Sequence, residues 1–402
     1  MNNPCHLCYS KISSCAPNMN EIQGYPGHLK NTWQKAENNR MIENDTKSMK
    51  GAGKARLRKK PVLVCVGLLT GMLSVATVAV ADSEWNPLIS EADSSVVYEP
   101  SAVRQLPDGG LLLVQDESDD PFIILQLAPD DRGITFQRPL LAEQDQPSGI
   151  PGRAEPLRGL EDLEGLAAGI DGYLYAITSH SRTESGERRK SREKFVRLRI
   201  ESGQIRDYSA FGKLRKAIIT AYPELKAAAR SGHDKGQKGF NIEGLCLPRD
   251  RRGLLIGLRA PILDGDSLIL VMRNPAAVFD HGEEPMFESE PLRLNLDKGG
   301  VRAITYVPRL DSYLLVTQKA RKKGTSDRPF RLWLWDGRDG AGVRPLQIPD
   351  ISLRNTEGIT PVRLGGRDYL LLVSDDGNRS RNIPGHYMLL PLAALGLPLQ
   401  PE

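Results

Sequence analysis

The sequence predicts an all-β chain folded as a β-propeller, and three observations carry that prediction. Short β-branched and Leu-rich runs alternate with turn residues over most of the chain, five of these runs are self-similar, and further strand-like runs follow each of the five. The composition allows such a fold: 402 residues with 40% apolar and 26% charged side chains are ordinary for a soluble globular protein. They exclude collagen, disorder throughout and a polytopic membrane protein.

Taken in chain order, residues 1–48 are polar and lack apolar periodicity, and read as a disordered or mispredicted extension. Cys5 and Cys8 have the spacing of a zinc or redox pair, with Cys15 nearby, but no second pair follows at a usable distance. Met49 opens the basic stretch MKGAGKARLRKK, and the uncharged run PVLVCVGLLTGMLSVATVAVA of residues 61–81 ends in Ala79 and Ala81 before Asp82. This is the pattern of a secretory signal at residues 49–81, cleaved between Ala81 and Asp82. A permanent anchor is the rival reading, which the small residues at the end of the run and the acidic Asp82 and Glu84 oppose. A bacterial periplasmic or secreted protein is therefore expected, touching the membrane only transiently through its signal.

Residues 82–402 read as a single domain. Removing residues 1–81 removes 11 Lys+Arg and 4 Asp+Glu, which turns the formal charge of +4 into −3, from 43 against 46. A basic protein seeking nucleic acid is thereby excluded. One cysteine, Cys246, remains, so no internal disulfide forms.

The five similar segments are PSAVRQLPDGGLLLVQDES from Pro100, LEGLAAGIDGYLYAITSHS from Leu163, IEGLCLPRDRRGLLIGLRA from Ile242, VRAITYVPRLDSYLLVTQKA from Val301 and TEGITPVRLGGRDYLLLVSDDG from Thr356. Each reads as strand, polar turn, strand. Third strands follow at FIILQL, KFVRLRI, SLILVM, FRLWLW and HYMLLPL, and fourth strands at ITFQ, QIRDYS, EPLRLN and RPLQI. Four strands make a propeller blade. The second residues of the motifs, Ser101, Glu164, Glu243, Arg302 and Glu357, are spaced by 63, 79, 59 and 55.

Five blades are expected, or six if the long second repeat hides a divergent one. The last repeat lacks a fourth strand, while SVVYE near residue 95 has no blade of its own. An N-terminal strand that completes the last blade would close the ring. Within residues 212–230, Leu214, Ile218, Ile219 and Tyr222 recur at helical spacing before Pro223, predicting a helical insertion.

Candidate site residues come from two columns. The first is Ser101, Glu164, Glu243, Arg302 and Glu357; the second, six residues into each second strand, is Asp116, His180, Arg259, Lys319 and Asp376. Antiparallel hairpins bring both columns to one end of the blades. Glu164, Glu243 and Glu357 converging on one axis would repel unless Arg302, a cationic ligand or a divalent metal such as Ca²⁺ neutralised them. The loops that follow, RTESGERRKSREK from Arg182, KARKKGTSDR from Lys319 and DDGNRSRN, suggest a basic rim for an anion. The expected roles are His180 as acid or base, Glu243, Arg259 and Arg302 at the reacting centre, and Asp116, Arg182, Lys319 and Asp376 as ligand contacts. A simply wet channel with structural ion pairs explains the same columns. No G-x-G-x-x-G or G-x-x-x-x-G-K is present, so neither a flavin nor a nucleotide cofactor is expected. In Ser179-His180-Ser181, neighbouring strand residues would point to opposite faces, which argues against a nucleophile and base pair.

The motifs LEGLA with YLYAITSHSR, NIEGLC with GLLIGLRAP, and TEGIT with LLLVSDDG resemble a bacterial family of domains of unknown function numbered 3616, over the chain from about residue 95. The repeated E-G-L/I element is similar, more loosely, to that of the phytase-like esterase propellers. That resemblance implies a propeller and calcium-assisted phosphoester hydrolysis, with Glu164, Glu243 and Glu357 matching the element and Ser101 and Arg302 replacing it. The sequence therefore leaves two readings: a monomeric hydrolase of an anionic small molecule or phosphoester, and a non-catalytic propeller that binds a ligand or a partner protein on the same face.

Overall fold

The computed structural model describes residues 84–402 except 117, 119, 129–132, 139, 142–156, 158–159, 170–171, 233–237, 321–328, 339, 341, 349, 354 and 402. The signal segment, the N-terminal cysteines, His233 and most of the basic loop after Lys319 lie outside the described residues.

A short strand β1 (Asn86–Pro87) precedes the first blade, β2 (Pro100–Gln105), β3 (Leu111–Gln115), β4 (Phe122–Leu127) and β5 (Ile134–Gln137). After β6 (Leu140–Leu141) comes the second blade, β7 (Leu163–Ala168), β8 (Tyr173–Thr178), β9 (Phe195–Glu201) and β10 (Gln204–Phe211). The third is β11 (Asn241–Cys246), β12 (Leu254–Ala260), β13 (Ser267–Met272) and β14 (Leu292–Leu294). The fourth is β15 (Gly299–Val307), β16 (Ser312–Lys319), β17 (Phe330–Trp335) and β18 (Arg344–Leu346). The fifth is β19 (Thr356–Leu364), β20 (Arg367–Ser374) and β21 (His386–Pro391), completed by β1 on its outer edge. The fold is a five-bladed β-propeller; the second blade carries β6 as an extra strand parallel to β10.

The closing strand is not SVVYE. Asn86 and Pro87 pair with Tyr387 and His386, whereas Val96 turns back to bridge Ile89. The polar turn at residues 91–93 folds this segment on itself, so the strand nearer the N-terminus reaches the last blade. The helical insertion forms α1 (Leu214–Ala221), a 3₁₀ turn at Pro223–Leu225 and α2 (Lys226–Arg230). Leu214, Ile218, Tyr222 and Leu225 are buried against the second and third blades.

Because every sheet is sandwiched between two others, both faces of its middle strands are buried. This explains the unbroken apolar runs where alternation would mark a half-exposed strand. Five apolar clusters result, one at each junction between neighbouring blades. Trp333 and Trp335 lie in the junction of the third and fourth.

The inner strands β2, β7, β11, β15 and β19 touch in a ring around the axis. Each carries a register shift that leaves over Ser101, Glu164, Glu243, Arg302 or Glu357, and the β11–β12 pair has a second shift that leaves over Arg259. The first column is thus a ring of β-bulges, a device that re-aims a side chain out of the normal alternation. Directly after each bulge stands a small residue: Ala102, Gly165, Gly244, Ala303 and Gly358. At Gly358 an added Cβ would lie 2.6 Å from Val373 Cγ2 and 3.0 Å from both Ala102 Cα and Val103 N. The E-G element therefore joins an aimed glutamate to a site of close strand approach. Gly358→Ala is expected to lower stability by about 1–3 kcal/mol through overpacking, checked by denaturant unfolding; an unchanged midpoint would contradict the close approach.

Candidate functional site

The bulge ring reads, in order around the axis, Ser101, Glu164, Glu243, Arg302 and Glu357, and all five are buried. Arg302 is its centre of charge. Its Nη1 donates to Glu243 at 2.8 Å and its Nη2 contacts Glu357. Glu243 also accepts from Arg259 Nη1 at 2.6 Å and Asn241 Nδ2 at 3.1 Å. These guanidiniums neutralise two of the three converging glutamates.

The other side of the ring lacks such a partner. Glu164 makes no hydrogen bond among the described residues, and one oxygen each of Asp116, Asp162 and Glu164 lie within 4.8 Å of one another. Burial, and then the charges of Glu243, Asp162 and Asp116, push the Glu164 carboxyl well above the usual range; Arg302 opposes this. Ser101, the next ring member, has its hydroxyl buried without a partner. Asp162 is fixed from outside the ring by Arg192 Nη1 at 2.9 Å, Ser181 Oγ at 3.0 Å and Ser179 Oγ.

The expected metal set therefore needs correction. Glu164, Glu243 and Glu357 do not share a vacant centre, because Arg302 lies between the last two. The group able to hold a cation is Asp116, Asp162 and Glu164. Its donors are hard oxygens, as calcium and magnesium require. Ligands on opposite sides of a calcium ion at 2.3–2.6 Å stand about 4.6–5.2 Å apart, so oxygens within 4.8 Å of one another can share one ion. Asp116 and Asp162 are partly exposed, so the donor set is open to solvent.

The second column is also corrected, and a single-residue slip is the cause. The partners of the residues preceding each bulge are Gln115, Thr178, Leu258, Thr317 and Ser374. The residues following these partners are Asp116, Ser179, Arg259, Gln318 and Asp375. Asp116 and Arg259 belong to that column, whereas His180, Lys319 and Asp376 are one residue farther along.

His180 lies beyond the end of β8 and is withdrawn into the protein. It is buried with a left-handed backbone (φ 55°), and its Nδ1 lies 2.8 Å from the Thr178 carbonyl. Lys319 contacts Asp297, which also accepts from Arg331 at 2.7 Å. Asp376 pairs with His386 Nδ1 at 2.7 Å. Arg182 donates to the backbone carbonyls of Gly186 and Ala229 at 2.8 and 3.4 Å, tying its loop to α2. In the same loop Arg188 pairs with Glu193, and Arg189 and Arg192 with Glu161. In this loop Arg188, Arg189 and Arg192 are thus spent on local carboxylates.

Asp162, Asn241 and Asn355 stand two residues before the three glutamate bulges, a pattern present in the sequence. Asp162 was missed because only its return to the mouth through Ser179 and Ser181 gives it a role.

Burial lowers the His180 pKa to about 4, partly offset by the Thr178 carbonyl and Glu193. A histidine neutral when folded and ordinary when unfolded favours unfolding as pH falls from about 6.5 toward 4. His180→Gln is expected to remove about 2 kcal/mol of the stability lost between pH 7 and 5. Parallel unfolding curves for the two proteins across that range would refute this.

No protein-family model matches the chain, and no curated protein matches it. Among solved structures, it is similar to the PQQ-bound aldose sugar dehydrogenase of Streptomyces coelicolor, at 14% identity over 77% of this chain and 98% of that one, with a TM-score of 0.37. An exo-β-1,3-galactanase from Phanerochaete chrysosporium follows at 10% identity, covering 77% and 64% of the two chains, with a TM-score of 0.43. An endo-arabinase from Bacteroides thetaiotaomicron has 12% identity, 76% and 97% coverage and a TM-score of 0.39. At these scores none of them bears on what this chain does.

Proposed function

We propose that this chain is an exported propeller hydrolase that binds a divalent cation, calcium in the first instance, at the channel mouth and acts there on an anionic ester such as a phosphoester. The observation that carries the reading is Glu164: a buried carboxylate beside two others, with no cationic side chain bonded to it among the described residues. Such a group is stabilised by a bound proton or a bound cation.

Asp116, Asp162 and Glu164 would hold the cation. When bound, it supplies Lewis-acid polarisation of the ester oxygen and acidifies a water. Arg259, about a quarter exposed and anchored on Glu243 and Gln318, would meet an incoming anion at the mouth. Arg302 bonds Glu243 and Glu357 and offsets their charge beside the triad. Ser179, Ser181 and Arg192 hold Asp162 in position. The resemblance to phytase-like esterases points to the same ion and bond type.

The test is turnover of a phosphoester and carboxylester panel by the mature protein, in chelator and with calcium restored. Calcium-dependent turnover is expected, with Arg259→Ala raising KM about tenfold, the scale of one charge-assisted hydrogen bond. The withdrawal of His180 from the mouth favours a second reading, a non-catalytic cation-dependent binding propeller. Saturable ligand binding without product would establish that reading and overturn the first.

A further inference from the structure

The bulge ring occupies one end of the channel; the hairpin turns lie at the other. There, two cavities of about 460 and 430 Å³ adjoin and share Tyr173 and Arg251, the first bounded by the first three blades together with Thr360 and Pro361 of the fifth. Arg104, Arg199 and Arg251 line the first against one acid, Glu201. Arg197, Arg251, Arg252 and Arg273 line the second against Asp280. Among the described lining residues six arginines thus face two carboxylates, with Asp207 accepting from Tyr173 Oη at 2.6 Å and Glu288 lying 4.0 Å from Arg273 beyond the lining.

The ion pairs leave this excess in place. Arg197 bonds Asp280 at 2.5 Å, and Arg199 lies 3.6 Å from Glu201. Both guanidiniums also cover Tyr173, at 4.1 and 4.2 Å from its ring centre. Neither Arg104, Arg251 nor Arg252 has a carboxylate partner among the described residues. Arg104 is the most unusual: its side chain crosses toward the fourth blade and donates to Thr305 Oγ1 at 3.0 Å. Burial lowers its pKa, with no carboxylate offsetting that cost. A half-buried guanidinium with no carboxylate bonded to it among the described residues is a ready partner for an anion.

We infer that this turn-end cavity is a second binding site, in which Arg104, Arg199 and Arg251 take a small multiply charged anion bearing phosphate or carboxylate groups. The guanidinium fork suits both chemistries through paired N–H donors. A cavity of this volume falls within the usual range for small-molecule sites. The site is separate from the acidic mouth and requires no cation, so it stands or falls independently of the proposed hydrolysis.

Isothermal titration in chelator, with pyrophosphate, inorganic phosphate and citrate as the probes, tests this. Saturable binding of pyrophosphate or citrate is expected, at least tenfold weaker in both Arg104→Gln and Arg251→Ala and unchanged in Arg259→Ala. Arg251 is exposed, so its variant keeps the test informative if loss of Arg104 impairs folding. Preference for pyrophosphate over citrate would identify a phosphorylated ligand, and the reverse a polycarboxylate. Absence of saturable binding by all three probes, wild-type affinity in Arg251→Ala, or weakening confined to Arg259→Ala would overturn the inference.

Discussion

Arg302→Met is expected to lower stability by about 3–5 kcal/mol at pH 7, the usual effect of removing one partner from a buried ion pair. The side chain is buried and bonded to Glu243 and Glu357, which would lose this neutralising partner. Arg259 would still hold Glu243, so Glu357 should account for most of the loss. For a domain of this size the melting temperature should fall by roughly 5–10 °C. Its pH dependence distinguishes lost charge compensation from lost packing. In the variant the orphaned carboxyls have folded pKa values raised above the unfolded value. Their cost is full above those raised values and shrinks as pH falls toward about 4.3. The gap from wild type should therefore narrow in acid. A gap that stays constant from pH 7 to 5, or an unchanged melting temperature, would contradict the neutralising role given to Arg302.

Glu164→Gln is expected to abolish stabilisation by calcium. With the ion at a hundredfold excess over its Kd, the wild-type protein should gain about 2.7 kcal/mol. In chelator the Glu164 carboxyl has a raised folded pKa, so the wild type loses stability as pH rises from the unfolded value through the raised one. The cation replaces the proton, so its effect should be larger at pH 8 than at pH 5.5. The glutamine variant lacks the ionisable group. It should melt above the wild type in chelator at pH 8 and show no calcium shift. A calcium shift equal to that of the wild type would remove Glu164 from the cation site.

Much of the architecture was legible along the chain because its causes are local. Turn residues such as Asp108-Gly109 and the apolar runs LLLV and LLIG specify hairpins within a few residues of themselves. Five hairpins at intervals of 55 to 79 residues then leave a ring as the way to avoid exposed edges. The first column was legible for a related reason. Each of its members precedes a small residue, and the bulge that aims it is built into the same short segment.

The second column was not legible at residue precision. Counting along the second strand cannot fix where it ends against its partner, and a slip of one places His180, Lys319 and Asp376 one residue beyond the column that keeps Asp116 and Arg259. Nor can charge type alone decide which acids meet a base. Glu164, Glu243 and Glu357 occupy equivalent positions in their repeats, yet the position of Arg302 in the ring neutralises two and leaves the first beside Asp116 and Asp162. By itself the sequence determined most of the strands, a propeller of five or six blades and the residues of the first column, because hydrophobic pattern and turn chemistry act over short range. Only the tertiary structure decided the closing strand, the pairing of charges and the location of the cation-seeking carboxylates, because these depend on which distant segments meet around the axis.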